Sequence, residues 1–327
     1  MRRCASCIGQ EASARKGPSC SPAIDASPQR SPCAENVRRQ AAAAVYHGRT
    51  VVGRTCVVTG ATAGIGLETA RGVARQGATV IIVGRDQARC RIAVDDIRQR
   101  TRNPNVSFLV ADLSVLADVR RLAKDIEERC PRLHVLVNNV GGLFLNGQVS
   151  AEGIEMTLAL NHLGPYLLTR VLGPTLEAGA PARIVNVASV AHLGARLEVS
   201  DLRFAGWKGY KRSKLANILF TYELARRLEG TGVAANALSP GLVASNFGMN
   251  NRGLFPVVRP LWNWASLTNE QGARTSVYLA TSPEVEGVTG QYFARCKPRR
   301  SSAASYDRAA AADLWRVSAA LTGLAAD

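Results

Sequence analysis

Short apolar stretches alternate with helical stretches along most of the chain, beginning at residue 54. The first apolar stretch is TCVVTG, and the helical stretch GIGLETARGVARQG separates it from the next one, ATVIIVG. The alternation continues through VSFLVAD, LHVLVNN, ARIVNVAS and VAANALSPG, and a last strand is predicted within GQYFA, residues 290–294. Strands that alternate with helices form a parallel sheet covered by helices on both faces. The pattern therefore predicts an α/β fold, a single doubly wound domain with a mostly parallel sheet.

The composition is that of a globular protein. Of the 327 residues, 46% are apolar and 20% are charged, and no stretch reaches the ~18–20 apolar residues of a membrane span. Much of the net charge of +16 lies in terminal segments and on helix faces, and residues 1–50 carry eight Arg or Lys against three Asp or Glu. No recognised nucleic-acid-binding motif accompanies the charge. We therefore expect a cytoplasmic protein with no transmembrane segment and no nucleic-acid partner.

The first 48 residues differ in composition from the rest of the chain. They are rich in Ser, Pro, Ala and Arg without a sustained apolar period, which predicts a disordered N-terminal extension. An organellar transit peptide and an over-extended start of the reading frame both explain such a segment. A single folded domain is predicted over residues 49–296. A C-terminal extension, 297–327, is predicted to carry a short helix that packs on the domain.

The eight cysteines indicate thiols rather than a disulfide framework. Cys56, Cys90, Cys130 and Cys296 fall in predicted core elements, and the other four lie in the N-terminal extension. Although Cys4-x-x-Cys7 has the spacing of half a metal site, no second pair with zinc-like spacing follows. We therefore expect no metal centre.

A glycine-rich turn follows the first predicted strand. In VVTGATAGIG, Thr59, Gly60, Gly64 and Gly66 lie between this strand and the first helix. Residues without a Cβ let backbone N–H groups approach a pyrophosphate at the positive end of a helix. The spacing Gly-x-x-x-Gly-x-Gly differs from the common dinucleotide fingerprint, and a purely structural turn is the alternative. The position directly after the first strand favours a nucleotide site.

The end of the second strand indicates which nucleotide would bind. It reads Val83-Gly84-Arg85-Asp86, and the guanidinium of Arg85 is suited to a 2′-phosphate, which favours NADP over NAD. A solvated loop charge is the other interpretation of Arg85. Asp86 is predicted to be the N-cap of the next helix.

A tyrosine and a lysine lie four residues apart in YKRSKLANILF. Tyr210 and Lys214 therefore share one face of a predicted amphipathic helix. Such pairs are common on protein surfaces, and a catalytic pair is the alternative. The remaining motifs decide between these interpretations.

The motifs together resemble those of the short-chain dehydrogenase/reductase family, and within it the retinol-dehydrogenase-like branch. The resemblance covers about residues 50–320. Its motifs occur in the family's order, as TGATAGIG, NNVGG, LNHLGPYLLT, ARIVNVAS, YKRSKLANILF and LSPGLV. It implies a Rossmann-type fold and an oxidoreductase activity. Related enzymes often pair through their long helices, so a homodimer is an expectation.

The resemblance also assigns the site residues. The implied catalytic residues are Asn161, Ser189, Tyr210 and Lys214. The implied cofactor-binding residues, beside Tyr210 and Lys214, are Gly60, Thr62, Gly64, Ile65, Gly66, Arg85, Asp112, Leu113, Asn138, Gly141, Pro240, Gly241 and Val243. Ser245 stands where the family often has Thr, and Val140 replaces the usual alanine of the Asn-Asn-Ala-Gly turn.

The implied function is an NADP(H)-dependent interconversion of an alcohol and a ketone or aldehyde on a lipophilic small molecule. Tyr210 would be the general acid/base, and the ammonium of Lys214 is expected to lower its pKa from about 10. Asn161 would hold Lys214 through an ordered water, and Ser189 would bind the substrate oxygen. A catalytically silent NADP-binding regulatory module is the alternative.

One feature separates this sequence from its branch, and several other residues near the site have two possible roles. The stretch between Ser189 and Tyr210 is shorter than is typical and would border the substrate mouth. Trp262 and Trp264 would form either a lid over an apolar substrate or a packed helix face. His162 and His192 are expected to have packing or loop roles rather than acid–base roles.

Overall fold

The computed structural model describes residues 51–198, 201, 205–243 and 267–326. The predictions on residues 1–48, Ser245, Trp262 and Trp264 lie outside this part of the chain. The predicted bounds of the domain and of the C-terminal extension remain predictions.

The strands and helices follow the predicted alternation. The strands are β1 (Thr55–Thr59), β2 (Thr79–Gly84), β3 (Val106–Val110), β4 (Val135–Asn138), β5 (Ala182–Val187), β6 (Val233–Ser239), β7 (Tyr292–Ala294) and β8 (Lys297–Pro298). The helices are α1 (Gly64–Arg75), α2 (Gln87–Thr101), α3 (Leu116–Arg129), α4 (Met156–Leu158), α5 (Gly164–Val171), α6 (Gly173–Ala178), α7 (Gly206–Arg227), α8 (Asn269–Thr281) and α9 (Arg308–Thr322). A π-helix (Ala159–Leu163) joins α4 to α5, and a 3₁₀-helix (Val190–His192) follows β5.

The strands of the described residues form one sheet in the order β3-β2-β1-β4-β5-β6-β7-β8. Neighbouring strands from β3 to β7 are parallel, and β8 runs antiparallel to β7. The strand order reverses between β1 and β4, and ligands of doubly wound sheets bind at the carboxyl ends of the strands beside such a reversal. The predicted doubly wound, mostly parallel α/β fold is confirmed.

Alternate residues of the strands belong to two separate hydrophobic cores. In β1, Val57 packs with Ile81 and Leu122 on one face of the sheet, whereas Val58 packs with Val73 on the other. This alternation is the two-residue period of a strand. Because helices cover both faces, the strands read as continuous apolar runs in the sequence.

Two local predictions are confirmed. Asp86 is the N-cap of α2, and its carboxylate accepts a hydrogen bond of 2.9 Å from the backbone N–H of Arg89. Cys56, Cys90 and Cys130 are buried free thiols, and Cys296 is a half-buried one.

Helix α7 differs from the predicted amphipathic helix because nearly all its residues from Gly209 to Ala225 are buried. The cause is α9, which packs on α7 from the end of the chain. Trp315 of α9 lies 5.2 Å from the ring of Tyr166 and 5.9 Å from that of Phe220, measured between ring centroids. The last helix therefore covers a face that the sequence of α7 alone assigned to solvent.

Candidate active site

The glycine-rich turn joins β1 to the N-terminus of α1. Gly60 and Gly64 have φ values of +66° and +60°, a region that favours glycine. A Cβ on Gly66 would lie 2.3 Å from the carbonyl oxygen of Gly60. The N-cap position of α1 is Ala63, which has no side-chain oxygen to accept from the first N–H groups of the helix. The turn therefore fits a phosphate group, because it is narrow and presents backbone donors.

The loop after β4 holds this turn in place. The hydroxyl of Thr59 accepts from the backbone N–H groups of Asn139 (3.0 Å) and Val140 (3.2 Å). The side-chain amide of Asn139 donates to the carbonyls of Thr59 (2.9 Å) and Gly60 (3.2 Å). The sequence indicated that Thr59 is part of the turn, but it did not indicate this role, which depends on a partner 80 residues away.

Arg85 and Asp112 lie together at the carboxyl ends of β2 and β3. The guanidinium of Arg85 is 3.6 Å from the carboxylate of Asp112, and the Arg85 side chain is 61% exposed. Asp112 also accepts from the backbone N–H and hydroxyl of Ser114 (2.9 and 2.6 Å). Thr62 lies beside them, since a Cβ on Gly84 would be 2.5 Å from its methyl group. The resemblance assigns these side chains to the cofactor, and the structure brings them together.

Two residues of the predicted cofactor set have their side chains in the core. Leu113 is buried in the hydrophobic core. The amide of Asn138 donates to Thr169 Oγ1 and Asn186 Oδ1, both at 2.9 Å. Any part that these two residues have in cofactor binding therefore falls to their backbone.

Ser189 and Tyr210 come together from different elements. Ser189 follows β5 and Tyr210 lies in the second turn of α7. The side chain of Ser189 lies close enough to the phenol of Tyr210 to influence its pKa, and the Tyr210 side chain is buried. The folded chain therefore pairs the two hydroxyls that the resemblance assigned to catalysis.

Lys214 lies on the same side of α7 as Tyr210. Its ammonium is 5.7 Å from the centroid of the Tyr210 ring and donates to the carbonyl of Val187 at 2.9 Å. A Cβ on Gly141 would lie 3.4 Å from both this ammonium and Asn161 Oδ1. Asn161, Lys214 and the glycine turn after β4 therefore meet at one point.

Asn161 is buried in the π-helix, a form that is frequent at functional sites. Its side chain accepts from the N–H of Gly142 (2.8 Å) and donates to the carbonyl of Gly142 (2.9 Å) and to Ser213 Oγ (3.0 Å). The Ser213 hydroxyl in turn donates to the carbonyl of Tyr210 at 2.8 Å. Asn161 thus joins the turn after β4 to the first part of α7 by direct bonds.

Burial dominates the electrostatics of Tyr210 and Lys214. Burial raises the pKa of Tyr210 to about 12, although the side chain of Ser189 acts in the opposite direction. Burial lowers the pKa of Lys214 to about 8. Burial therefore sets the direction of both shifts, and the expected lowering of the phenol pKa by the ammonium stays a prediction.

The loop after β6 closes the other side of the site. Gly241 has a φ of +86° and follows Pro240 directly. Val243 forms a parallel bridge with Leu267, and a Cβ on Gly272 would meet its side chain at 2.6 Å and that of Ile65 at 3.3 Å. This loop and the first helix after the glycine turn therefore approach each other across the start of α8.

The comparisons with known proteins identify the family. The family model described as short chain dehydrogenase matches residues 54–253, well over half of the chain. The chain belongs to the short-chain dehydrogenase/reductase family. This dehydrogenase/reductase is 40% identical to human retinol dehydrogenase 14 over an alignment of 314 residues, which covers 90% of this chain and 92% of that protein. The resemblance to the retinol-dehydrogenase-like branch is therefore confirmed, and the enzyme is an oxidoreductase that acts on CH–OH groups.

Solved structures agree with this assignment. An uncharacterised protein from Mycobacterium paratuberculosis is 31% identical, with a TM-score of 0.70 over 86% of this chain and 98% of that one. The Pseudomonas aeruginosa RhlG/NADP active-site complex is 28% identical, with a TM-score of 0.60 over 75% of this chain and 95% of that one. Nicotinamide-cofactor binding follows from the family.

Three remaining features complete the description. His162 is buried, its Nε2 lies 2.8 Å from Ser318 Oγ, and burial lowers its pKa to about 4, so it has the expected packing role. Among the described residues, no helix is long and apolar enough to cross a membrane. In the same part of the chain, no three His, Cys, Asp or Glu side chains are grouped so as to hold a metal ion.

Proposed function

We propose that this dehydrogenase/reductase interconverts an alcohol and a ketone or aldehyde on a lipophilic small molecule, with NADP(H) as its cofactor. One observation carries the proposal. The side chain of Ser189 and the phenol of Tyr210 lie close enough to interact, beside the buried ammonium of Lys214 and after the carboxyl end of β5. This is the edge of the sheet where the glycine-rich turn also lies.

When bound, the nicotinamide supplies or accepts the hydride. The side chains of the protein transfer the proton. With a pKa of about 12, Tyr210 keeps its proton at neutral pH and donates it to the substrate oxygen during carbonyl reduction. Ser189 donates to the same oxygen as negative charge develops there, a role in which one lost donor typically costs about 2.7–4 kcal/mol. The ratio of NADPH to NADP+ sets the net direction, and an excess of NADPH favours carbonyl reduction.

Lys214 and Asn161 support this chemistry in different ways. The ammonium of Lys214 would hold a ribose hydroxyl of the cofactor beside Gly141. Asn161 fixes the turn around Gly142 through both backbone groups of that residue. The water-mediated contact between Asn161 and Lys214 that the resemblance implies stays a prediction.

The preference for NADP rests on Arg85. Its guanidinium is largely exposed and makes only a 3.6 Å ion pair with Asp112, and exposed ion pairs of this kind contribute at most about 1 kcal/mol. It is therefore free to pair with a 2′-phosphate, which suits the planar fork of its N–H donors. The RhlG structure is a complex with NADP, which is consistent with this assignment.

The lipophilic substrate class rests on the surface around the site. Large apolar side chains that are unusually exposed lie in the loops after β4, β5 and β6 and at the start of α7. They are Leu145, Val190, Leu193, Trp207 and Leu242. Trp207 stacks on Tyr210 with 5.5 Å between ring centroids. Exposed apolar surface beside a polar centre is typical of a site for an apolar ligand.

Turnover of NADPH with a panel of hydrophobic ketones and aldehydes tests the proposal. Tyr210→Phe should lower the rate by at least about 100-fold, the usual contribution of a general acid, while NADPH still binds. Tyr278→Phe is the matched control. It removes a phenol of helix α8 that donates to Glu284 and is not among the proposed site residues. A Tyr210→Phe variant with near-normal rates would contradict the proposal. Wild-type protein that binds NADPH but reduces no member of the panel would favour the silent regulatory module.

Cofactor choice is tested separately. Arg85→Asp should weaken the binding of NADPH more than that of NADH. Arg102→Asp makes the same change of charge at the exposed C-cap of α2, at the opposite end of that helix, and should affect neither cofactor. Equal weakening of both cofactors by Arg85→Asp would remove the assignment to the 2′-phosphate.

A further inference from the structure

His192 lies three residues after Ser189 and is 1% exposed. Both of its ring nitrogens have partners. Nε2 is 3.1 Å from the backbone nitrogen of Ser302, and Nδ1 is 2.6 Å from the carbonyl oxygen of Ser189. A backbone N–H can only donate, so Nε2 must be the acceptor and the proton of the neutral ring must be on Nδ1. His192 therefore donates to the carbonyl of Ser189.

The segment that contains Ser302 is itself held firmly. The hydroxyl of Tyr222 in α7 is 2.8 Å from Ser301 Oγ. Ser301 Oγ is 2.6 Å from Ser305 Oγ, and the N–H of Ser301 donates to the Tyr306 hydroxyl at 3.2 Å. His192 is thus anchored to the C-terminal part of the chain, 110 residues away from it.

The N–H of the peptide group that joins Ser189 to Val190 is also fixed. The N–H of Val190 donates to Ser239 Oγ at 3.2 Å, and so does the N–H of Gly241, also at 3.2 Å. The Ser239 hydroxyl is hydrogen-bonded to Tyr292, whose ring packs at 5.1 Å against that of His192. The peptide group after Ser189 is therefore held at both its carbonyl and its N–H.

We propose that His192 is a positioning residue for Ser189 and that Ser302 fixes the tautomer in which it acts. The proposal rests on the proposed function and deepens it. A serine hydroxyl beside Tyr210 must be aimed at the substrate oxygen, and its direction depends on the backbone that carries it. Misplacement of a reacting group by about 1 Å can cost roughly 100-fold in rate. His192 acts only through the backbone of Ser189 and touches no reacting atom.

Two replacements of His192 separate positioning from general packing. The amide nitrogen of Asn can occupy the place of Nδ1 and keep the bond to Ser189, but it loses the bond to Ser302. Gln can accept from Ser302 at the place of Nε2, but it loses the bond to Ser189. We expect His192→Asn to keep kcat within about threefold and His192→Gln to lower it by about 10- to 100-fold. Neither variant should change the Kd of NADPH by more than about twofold.

The bond from Ser302 is tested through the backbone. Ser302 has a φ of −64°, which proline adopts without strain. Ser302→Pro removes the N–H donor and also the buried side-chain hydroxyl, which makes no hydrogen bond within the described residues. It should lower kcat several-fold because Nε2 loses the partner that fixes the tautomer. Ala303→Pro, at the exposed first position of the following 3₁₀-helix, is the matched control and should leave kcat unchanged. The proposal would be overturned if His192→Asn and His192→Gln lowered kcat equally and in proportion to their loss of melting temperature. Equal kcat values in Ser302→Pro and Ala303→Pro would also overturn it.

A ¹⁵N–¹H spectrum of the histidine side chains supplies a readout that does not need turnover. The chain has four histidines, so the signals of His192 can be assigned by substitution. The wild-type ring should carry its proton on Nδ1, and Ser302→Pro should introduce the Nε2-protonated form. A wild-type His192 protonated on Nε2 would overturn this inference. A wild-type protein that shows the Nδ1-protonated ring but no turnover would instead count against the proposed function.

Discussion

Replacement of Lys214 by Met should stabilise the fold at neutral pH while it abolishes activity. The ammonium is buried, and burial lowers its pKa from 10.5 to about 8. Because the folded pKa is lower than the unfolded one, folding disfavours the charged form. The cost is fully present below pH 8 and disappears as the pH rises through 10.5. By linkage it amounts to about 3 kcal/mol at pH 7 and about 2 kcal/mol at pH 9.

One lost interaction partly offsets this gain. The carbonyl of Val187 loses the donor that Lys214 provides at 2.9 Å, and an unsatisfied buried acceptor costs about 1–3 kcal/mol at any pH. At pH 7 the variant should therefore be between equally stable and about 2 kcal/mol more stable than the wild type. The advantage of the variant should shrink by about 1 kcal/mol between pH 7 and pH 9.

Urea denaturation of both proteins at pH 7 and pH 9 measures this difference. Lys208→Met is the control, because it removes an exposed ammonium two residues before Tyr210 in the same helix. Its effect on stability should be small and independent of pH. A difference between Lys214→Met and the wild type that is the same at both pH values would refute the argument that burial destabilises the charged lysine.

Three further predictions concern the glycine turn, the last helix and the substrate mouth. Gly66→Ala places a Cβ 2.3 Å from the carbonyl oxygen of Gly60, so it should cost about 1–3 kcal/mol and weaken NADPH binding in a fluorescence titration. Unchanged affinity would show that the turn does not hold the cofactor. Trp315→Ala removes a 3% exposed ring and should cost about 3–5 kcal/mol in urea denaturation; a cost under about 1 kcal/mol would mean that α9 does not anchor α7. Trp207→Ala should raise the KM of a long apolar aldehyde about tenfold without changing that of a short polar one, whereas equal effects on both would remove Trp207 from the substrate mouth.

The sequence predicted the elements of the fold because their signals are local. The pattern of a buried strand spans only a few neighbouring residues. So does the helical spacing of Tyr210 and Lys214. The glycine turn was also evident, because the glycines that it requires all lie within seven consecutive residues. The predicted set of Asn161, Ser189, Tyr210 and Lys214 does come together in the folded chain.

The contacts that support these residues were not predictable in the same way. The amide of Asn161 bonds to both backbone groups of Gly142, and the sequence did not indicate these contacts. His192 was expected only to pack or line a loop, and its bond to Ser302 depends on a segment 110 residues later. No local pattern in the sequence records such a pair.

The sequence by itself determined the order of strands and helices, the glycine turn and the types of side chain in the site. Only the tertiary structure decided that α7 is buried on all sides, that Ser189 is held from both ends of its peptide group, and that burial governs the pKa values of Tyr210 and Lys214. The physical reason is that desolvation and long-range hydrogen bonds depend on all the residues that surround a group. Most of those residues are distant in the sequence, and folding alone brings them into contact.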